Sequence, residues 1–484
     1  VVRGFHLDLR IQVMRPEALK DLASRLSDLG IGALVMEWEA SFPFSSHPVI
    51  PSRYAYTPAQ VDSFIRHCGG LGIDVIPLQQ SFGHLEYILR HPRYQGLRED
   101  PKDHSQLCPL QTQGNQRLLE DLFGELVRSH PSPYLHIGGD ETRLLGRCPR
   151  CRQRTGRIGA AGLYALHMGM AARAAVALGK RPLLWADMLC KHPEALKALP
   201  KSSVLVDWNY GWKGDLFGDP ENLRRSGLEV WGAAALRSDP DNYFLVDWEK
   251  HLRNFRDFVP RARKLGYAGM LVCSWSTSGE YARVMESTAD LVDLEPVRRV
   301  YPLAGFELPL AAFAQSLGSD APLDVKGFVR GYGAQRYGFD SRESDRFWKA
   351  LTACPLEVRQ GKVEGGLSVS GLMRRSEAAA RTLHGLRPKK GRKEFGHYRL
   401  LGDIRLQYLR YQVLEAEANA PKARPASLAR IRRSLGALLA AAPGLDRRFQ
   451  ALHAASLHQG EILAENRLRR AKIEMLFDKL SRRR

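Results

Sequence analysis

The chain has 484 residues, 44% hydrophobic and 26% charged, the usage of an ordinary globular protein long enough to bury a core without disulfide or metal staples. Collagen-like, low-complexity and small cystine-stapled classes are excluded, and no apolar run reaches the ~18 residues of a membrane-spanning helix. With 72 Lys+Arg against 52 Asp+Glu the formal charge is +20, which raises nucleic acid or an acidic polymer as partners.

Up to about residue 280, short apolar runs alternate with segments of helical period. Strands are predicted at Phe5–Leu9, Ala33–Glu39, Asp74–Leu78, Tyr134–Gly138, Pro182–Trp185, Val204–Trp208, Leu228–Trp231 and Met270–Trp275. Between them, helices are predicted over Pro16–Leu29, Pro58–Leu71, Asn115–Ser129, Ala160–Leu178 and His251–Leu265, several ending just before a glycine. Eight strands, each followed by a crossover, predict an α/β fold, a (β/α)8 TIM barrel, over residues 1–310. Beyond it strand signals nearly vanish. Helices are predicted over Gly396–Ala418, Ala426–Ala442 and from Leu445 onward, parted by Pro421, Pro425 and Pro443, as an α-helical basic C-terminal domain over 311–484. The basic runs Arg387–Lys393, Arg430–Arg433, Arg467–Lys472 and Arg482–Arg484 read as solvated helical faces or as a polyanion contact.

In such a barrel chemistry sits at the C-terminal strand ends. The residues closing the predicted strands are Glu37-Trp38-Glu39, then His84 after Gln79–Gly83, Asp140-Glu141, Trp185 with Asp187, Trp208 with Tyr210, Trp231 and Trp275. Five strand ends bearing Trp suit stacking on sugar rings, with about a third of these rings expected in the core. The sharpest segment is Tyr134-Leu135-His136-Ile137-Gly138-Gly139-Asp140-Glu141, where two glycines admit unusual backbone angles before adjacent carboxylates. Adjacent acids repel unless neighbours compensate, so a function explains them better than an acidic turn. Ordinary retaining glycosidases hold their carboxyls about 5–5.5 Å apart across the scissile bond. Neighbouring residues suit a 2-acetamido sugar instead: one acid protonates the leaving oxygen, and the other orients the acetamido group that attacks C1.

His136-x-Gly138-Gly139-Asp140-Glu141 resembles the H-x-G-[GA]-D-E signature of glycoside hydrolase family 20, the β-N-acetylhexosaminidases. Arg3–Asp8 looks like that family's opening strand. Glu37-Trp38-Glu39, Phe42-Pro43-Phe44 and Gln80–Glu86 look like its hexosaminidase D branch, and Leu184–Leu189 and Trp208-Asn209-Tyr210 continue in the same order. The resemblance covers about residues 3–285. It implies an exo-acting hydrolase releasing terminal β-linked GlcNAc or GalNAc with retention, through an oxazolinium formed by the substrate's own amide. Glu141 is then the general acid and base, with a raised pKa, and Asp140 orients the acetamido N–H. Tyr210 donates to the acetamido oxygen, Trp185, Trp208 and Trp275 wall the sugar, and Arg3 holds O3/O4. Asp187 joins the binding set, and His84 with Glu39 forms a relay behind the acid, or His84 is merely structural. Many members carry an acid two residues after the strand-eight Trp; here Thr277 stands there, and Glu280 is the candidate replacement for contacts to O4 and O6.

Cys148-Pro149-Arg150-Cys151 is a lone C-x-x-C, open to metal binding with Cys108 or Cys190 in support, to redox pairing, or to inert thiols; no metal or cofactor is assigned. Seven thinly spread cysteines favour a reducing, cytoplasmic compartment, while the Val1 start leaves a preceding signal segment open. The expected partner is a glycan or glycoconjugate with a terminal N-acetylhexosamine. No membrane or nucleic-acid partner is expected, and a homo-oligomer through the helical domain is open. The competing reading is a non-catalytic protein that binds amino sugars or a polyanion through its basic helices.

Overall fold

The computed structural model describes residues 1–484 except 213, 215, 289–290, 360, 422–423 and 483–484, with the backbone alone for 283–295. The basic run predicted at the C-terminus therefore lies partly outside the described residues, at Arg483 and Arg484. By internal contacts the chain forms two compact units: residues 1–238, 253–299 and 313–322, and residues 239–252, 300–312 and 323–484.

The first unit is a closed barrel of eight parallel strands in sequence order, a TIM barrel. The strands are β1 Val2–Asp8, β2 Ala33–Glu37, β3 Asp74–Leu78, β4 Tyr134–His136, β5 Arg181–Trp185, β6 Val204–Trp208, β7 Glu229–Arg237 and β8 Gly269–Ser274. Closure comes from β1 pairing with β8 in the register Val2↔Gly269 to Leu7↔Ser274. The crossovers carry α1 Pro16–Asp28, α2 Pro58–Gly70, α3 Glu86–Leu89, α4 Thr112–Ser129, α5 Pro149–Ala177, α6 Asp187–Lys191, α7 Glu221–Arg225 and α8 Trp248–Lys264. Sequence signals explain their starts: Pro16, Pro58 and Pro149 occupy first turns, and Thr57 forms a reciprocal capping box with Gln60. Gly159 (φ 72°) breaks α5, so the predicted Ala160–Leu178 helix is its second segment.

Alternate residues of each strand point inward, and the barrel interior packs Val35, Ile76, Leu183, Val204, Val206, Trp231, Ala233 and Leu271. Two predictions shift here. The seventh strand is longer than Leu228–Trp231, because Gly232 and Ala233 pair with both neighbours, and Ala234 and Ala235 with β8, once the barrel closes. An antiparallel hairpin, β9 Tyr281–Thr288 and β10 Leu291–Pro296, follows β8 and was not anticipated.

The second unit contains α10 Val325–Tyr337, α11 Ser341–Leu351, α12 Val369–Gly385, α13 Arg392–Ala418, α14 Pro425–His453 and α15 Gln459–Arg482; α9 Glu307–Leu317 precedes them, and β11 Val358–Arg359 pairs with β12 Lys362–Val363. Pro443 does not end a helix: α14 runs through it to His453, held by buried Ile431, Leu435, Ala442 and Phe449. Tertiary burial there outweighs the one backbone hydrogen bond a proline forfeits. No helix is long and apolar enough to cross a membrane among the described residues.

Candidate active site

The ends of β1 and β2 deliver a buried charge cluster. Arg10, just past β1, donates to Glu37 and has its Nε 2.9 Å from Glu39 Oε1. Asp8 accepts from the Arg10 backbone N–H (2.8 Å) and from the N–H and hydroxyl of Ser276 (2.8 and 2.7 Å). His6 faces Glu37 at 2.9 Å, and Gln80 donates to the same carboxylate at 3.1 Å. Burial would raise the Glu37 pKa, but Arg10 and His6 hold it well below the usual carboxylate range. Glu39 goes the other way: burial, with Glu37 and Asp8 close by, lifts it despite Arg10. Two acids sharing one guanidinium are thus pushed in opposite directions.

Across the mouth, β4 stops at His136 and the chain turns on Gly138 (φ 66°) and Gly139 (φ 96°). A Cβ on Gly138 would sit 1.9 Å from Gln80 Oε1, so close approach as well as backbone angle demands glycine. The turn presents Asp140 and Glu141 to one imidazole: His84 Nε2 lies 3.3 Å from Asp140 Oδ2 and 3.5 Å from Glu141 Oε2. Burial would lower the His84 pKa, but Asp140 and Glu141 keep it well above the ordinary histidine value. Asp140 is buried, and its Oδ1 has no hydrogen-bond partner. The Glu141 N–H donates to Asp187 Oδ2 (3.2 Å), whose other oxygen accepts from Trp208 Nε1 (3.4 Å). Burial and the Asp140 charge push Asp187 up to about 7.

Glu141 departs from expectation. Burial would raise it, but His84 and Arg143 hold its carboxyl at about 2 in the ligand-free chain. Arg143 Nη2 donates to Glu141 Oε1 at 2.9 Å, while Nη1 donates to Glu280 Oε1 at 2.6 Å. The non-glycine residues with left-handed backbone among those described are Glu39 (φ 46°), His84 (φ 55°) and Glu141 (φ 47°), all at this mouth. Such strain gathers where geometry is imposed for function.

Aromatic rings form the remaining wall. Trp275 donates through Nε1 to the Tyr210 oxygen (2.9 Å), lies 6.0 Å from the buried Trp185 ring, and carries the Arg10 guanidinium 5.3 Å from its centroid. Trp208 packs on Tyr210, Trp212 and Phe217 at 4.6–5.3 Å. His84, Glu86, Gln106, Glu141, Arg143 and Glu280 line an adjoining cavity of about 360 Å³.

Of the residues singled out by sequence, Glu39, His84, Asp140, Glu141, Asp187, Trp185, Trp208, Tyr210, Trp275 and Glu280 reach strand ends or loops of the barrel mouth. Arg3 does not: it is exposed near the N-terminal end of β1, and a strand start cannot reach the face where the strands end. Arg10, just past the end of β1, is the arginine that stands at that face. Trp38, packed on Phe42, Tyr56 and Phe64, and Trp231, bonded to Glu229 at the start of β7, are core rings. Glu39 pairs with Arg10 rather than His84, so the expected relay is replaced by His84 facing both acids. Thr277 is buried and donates to the Arg298 carbonyl. Arg143 carries no signal in the sequence beyond lying two residues after the acid pair.

The sequence profile described as "Glycosyl hydrolase family 20, catalytic domain" matches residues 35–231. Hexosaminidase D of Homo sapiens is 27% identical over 350 residues, 68% of this chain and 71% of that protein. Hexosaminidase D of Bos taurus is 27% identical over 305 residues, 59% of this chain and 87% of that protein. Among solved structures, the GH20 β-N-acetylhexosaminidase of Streptomyces coelicolor A3(2) superposes with a TM-score of 0.50 at 17% identity, covering 68% of each chain, a likeness of fold. A motif like that family's signature stands at a barrel strand end inside the matched segment, so residues 35–231 of this chain are similar to a glycosyl hydrolase family 20 catalytic domain.

Proposed function

We propose that this glycosidase is exo-acting and releases terminal β-linked N-acetylhexosamine with retention, using the substrate's acetamido group as nucleophile. The carrying observation is the adjacent pair Asp140-Glu141, turned by two positive-φ glycines toward one imidazole, with Asp140 Oδ1 left as a buried, unpartnered acceptor. An acetamido N–H is a fitting donor for that oxygen. Glu141 gives its proton to the glycosidic oxygen as the acetamido oxygen forms its bond to C1 and the aglycone bond breaks. The Asp140 carboxylate stabilises the positive oxazolinium. Glu141, now a carboxylate, takes a proton from water as that water attacks C1, which reopens the ring and restores the amide. Tyr210 is the acceptor in its bond to Trp275, so its O–H remains a donor for the acetamido oxygen. Arg10 assumes the hydroxyl-holding role assigned by resemblance to Arg3, and Glu280 is the candidate partner for O4 and O6.

The test is Glu141→Gln and Asp140→Asn against an aryl β-N-acetylglucosaminide and its galacto counterpart. Each variant is expected to lose about 10²–10⁴-fold in kcat, and a thiazoline mimic of the oxazoline should inhibit the native protein. Near-native turnover in both variants, or a trapped ester between enzyme and sugar, refutes the reading.

A further inference from the structure

Away from the sugar-facing acids, Glu99, Cys108, Cys148 and Cys151 bring their ligand atoms within 4.8 Å of one another. Cys108 Sγ stands 3.8 Å from Cys148 Sγ and 3.5 Å from Cys151 Sγ, and all three are free thiols. Zinc–sulfur bonds of ~2.3 Å in a tetrahedron imply a sulfur–sulfur edge of about 3.8 Å, so the spacing already matches. Pro149 opens α5, and Cys148 caps it: its sulfur accepts the Cys151 N–H at 3.3 Å. A bond of that kind orients a sulfur ligand.

Glu99 supplies the independent observation. Its side chain is fully buried; one oxygen accepts the Cys148 N–H at 2.9 Å, while Oε2 has no nitrogen or oxygen donor and the carboxylate otherwise faces only the Cys108 and Cys151 thiols. Among the described residues no basic side chain pairs with it. A carboxylate so placed is costly unless a cation joins it. Leu110, Leu145, Ile158 and Leu163 surround the sulfurs with apolar groups that exclude water.

We propose that Glu99, Cys108, Cys148 and Cys151 bind one zinc ion in a closed, structural Cys₃Glu site. The spacing of the lone C-x-x-C assigned no metal because the other two ligands lie some 40 residues upstream, in the segment between β3 and α4. On binding, each ligating thiol releases its proton to solvent, and no oxidant or reductant is needed. With four protein ligands the ion has no open position, so its role is mechanical. It ties the segment after β3, which holds His84 and Gln106, to the segment after β4, which holds Glu141 and Arg143. Gln106 accepts the Leu144 N–H at 2.9 Å beside the same junction. That consequence for the mouth rests on the glycosidase reading; zinc binding itself does not.

The full chain, tag-free and purified without chelators, is expected to hold about one zinc per chain by elemental mass spectrometry. Exchange for cobalt(II) should give a thiolate-to-cobalt charge-transfer band and tetrahedral ligand-field bands in the visible. Cys151→Ser should retain at least about tenfold less zinc, while Cys190→Ser, outside the cluster, retains it fully. Metal content and the cobalt spectrum of the native chain need neither a variant nor turnover, so they stand apart from any failure of the glycosidase reading. A native chain without zinc that gives no cobalt–thiolate band overturns the proposal. So does a Cys148–Cys151 disulfide in the native protein, or equal zinc loss in the Cys190→Ser control.

Discussion

Glu141 shows how a few side chains set the protonation of one carboxyl. In its proposed role as the acid it must carry a proton, yet His84 and Arg143 hold it at about 2 in the ligand-free chain. Because kcat/KM reports the free enzyme, that role ties the basic limb to this pKa. Arg143→Met removes one cation, lifts the Glu141 pKa and should move that limb to higher pH by about one unit; an unmoved limb in a kcat/KM–pH profile would take Arg143 out of this role. Asp187 gives the opposite sign. Its folded pKa of about 7 lies above that of the unfolded chain. Between ~4 and ~7 the folded protein therefore keeps a proton the unfolded chain has lost, and stability falls as pH rises. Asp187→Asn should gain melting temperature relative to the native chain on going from about pH 5 to about pH 8. A gap independent of pH would contradict the assignment.

Single elements were legible where burial on one face leaves a period. The strands Asp74–Leu78 and Val204–Trp208 stand as read, and α1, α2 and α4 differ from prediction by a few residues. β7 was truncated because Gly232–Ala235 carries little strand propensity; its partners β6 and β8 decide it. Pro443 misled for the matching reason, since α14 is held by its buried face and not by its local bonding. The turn after β4 could be read because its glycines and acids are contiguous. The Arg10 cluster could not, since Asp8, Glu37, Glu39 and Ser276 meet only when β1, β2 and β8 become neighbours.

The net charge of the whole molecule is partly answered inside it. Arg430 pairs with Glu417, Arg448 with Asp403, and Arg469 and Arg470 with Asp446, whereas Lys389, Lys390 and Lys393 are exposed. Composition changes near residue 310, but contacts draw residues 239–252 and 300–312 into the helical unit. There Trp248 packs on Phe306 and Tyr398 at 5.5 Å, and Tyr301 meets His397, Phe449 and His453. A chain ending at residue 310 keeps Trp248, Tyr301 and Phe306 but loses Tyr398, His397 and Phe449. It is expected to elute as aggregate in size-exclusion chromatography; a monodisperse product would show that Trp248, Tyr301 and Phe306 need none of those partners.

The linear order of residues was sufficient for the barrel, for the place of the Asp140-Glu141 pair at a strand end and for the family resemblance, because strand period, crossover spacing and a contiguous motif are properties of neighbours in the chain. Which arginine serves the mouth, which tryptophans are core, how Glu141 is charged and how three cysteines meet a buried glutamate all depend on groups distant in sequence. Electrostatics and metal geometry act across a few ångströms of space, so only the closed barrel decided them.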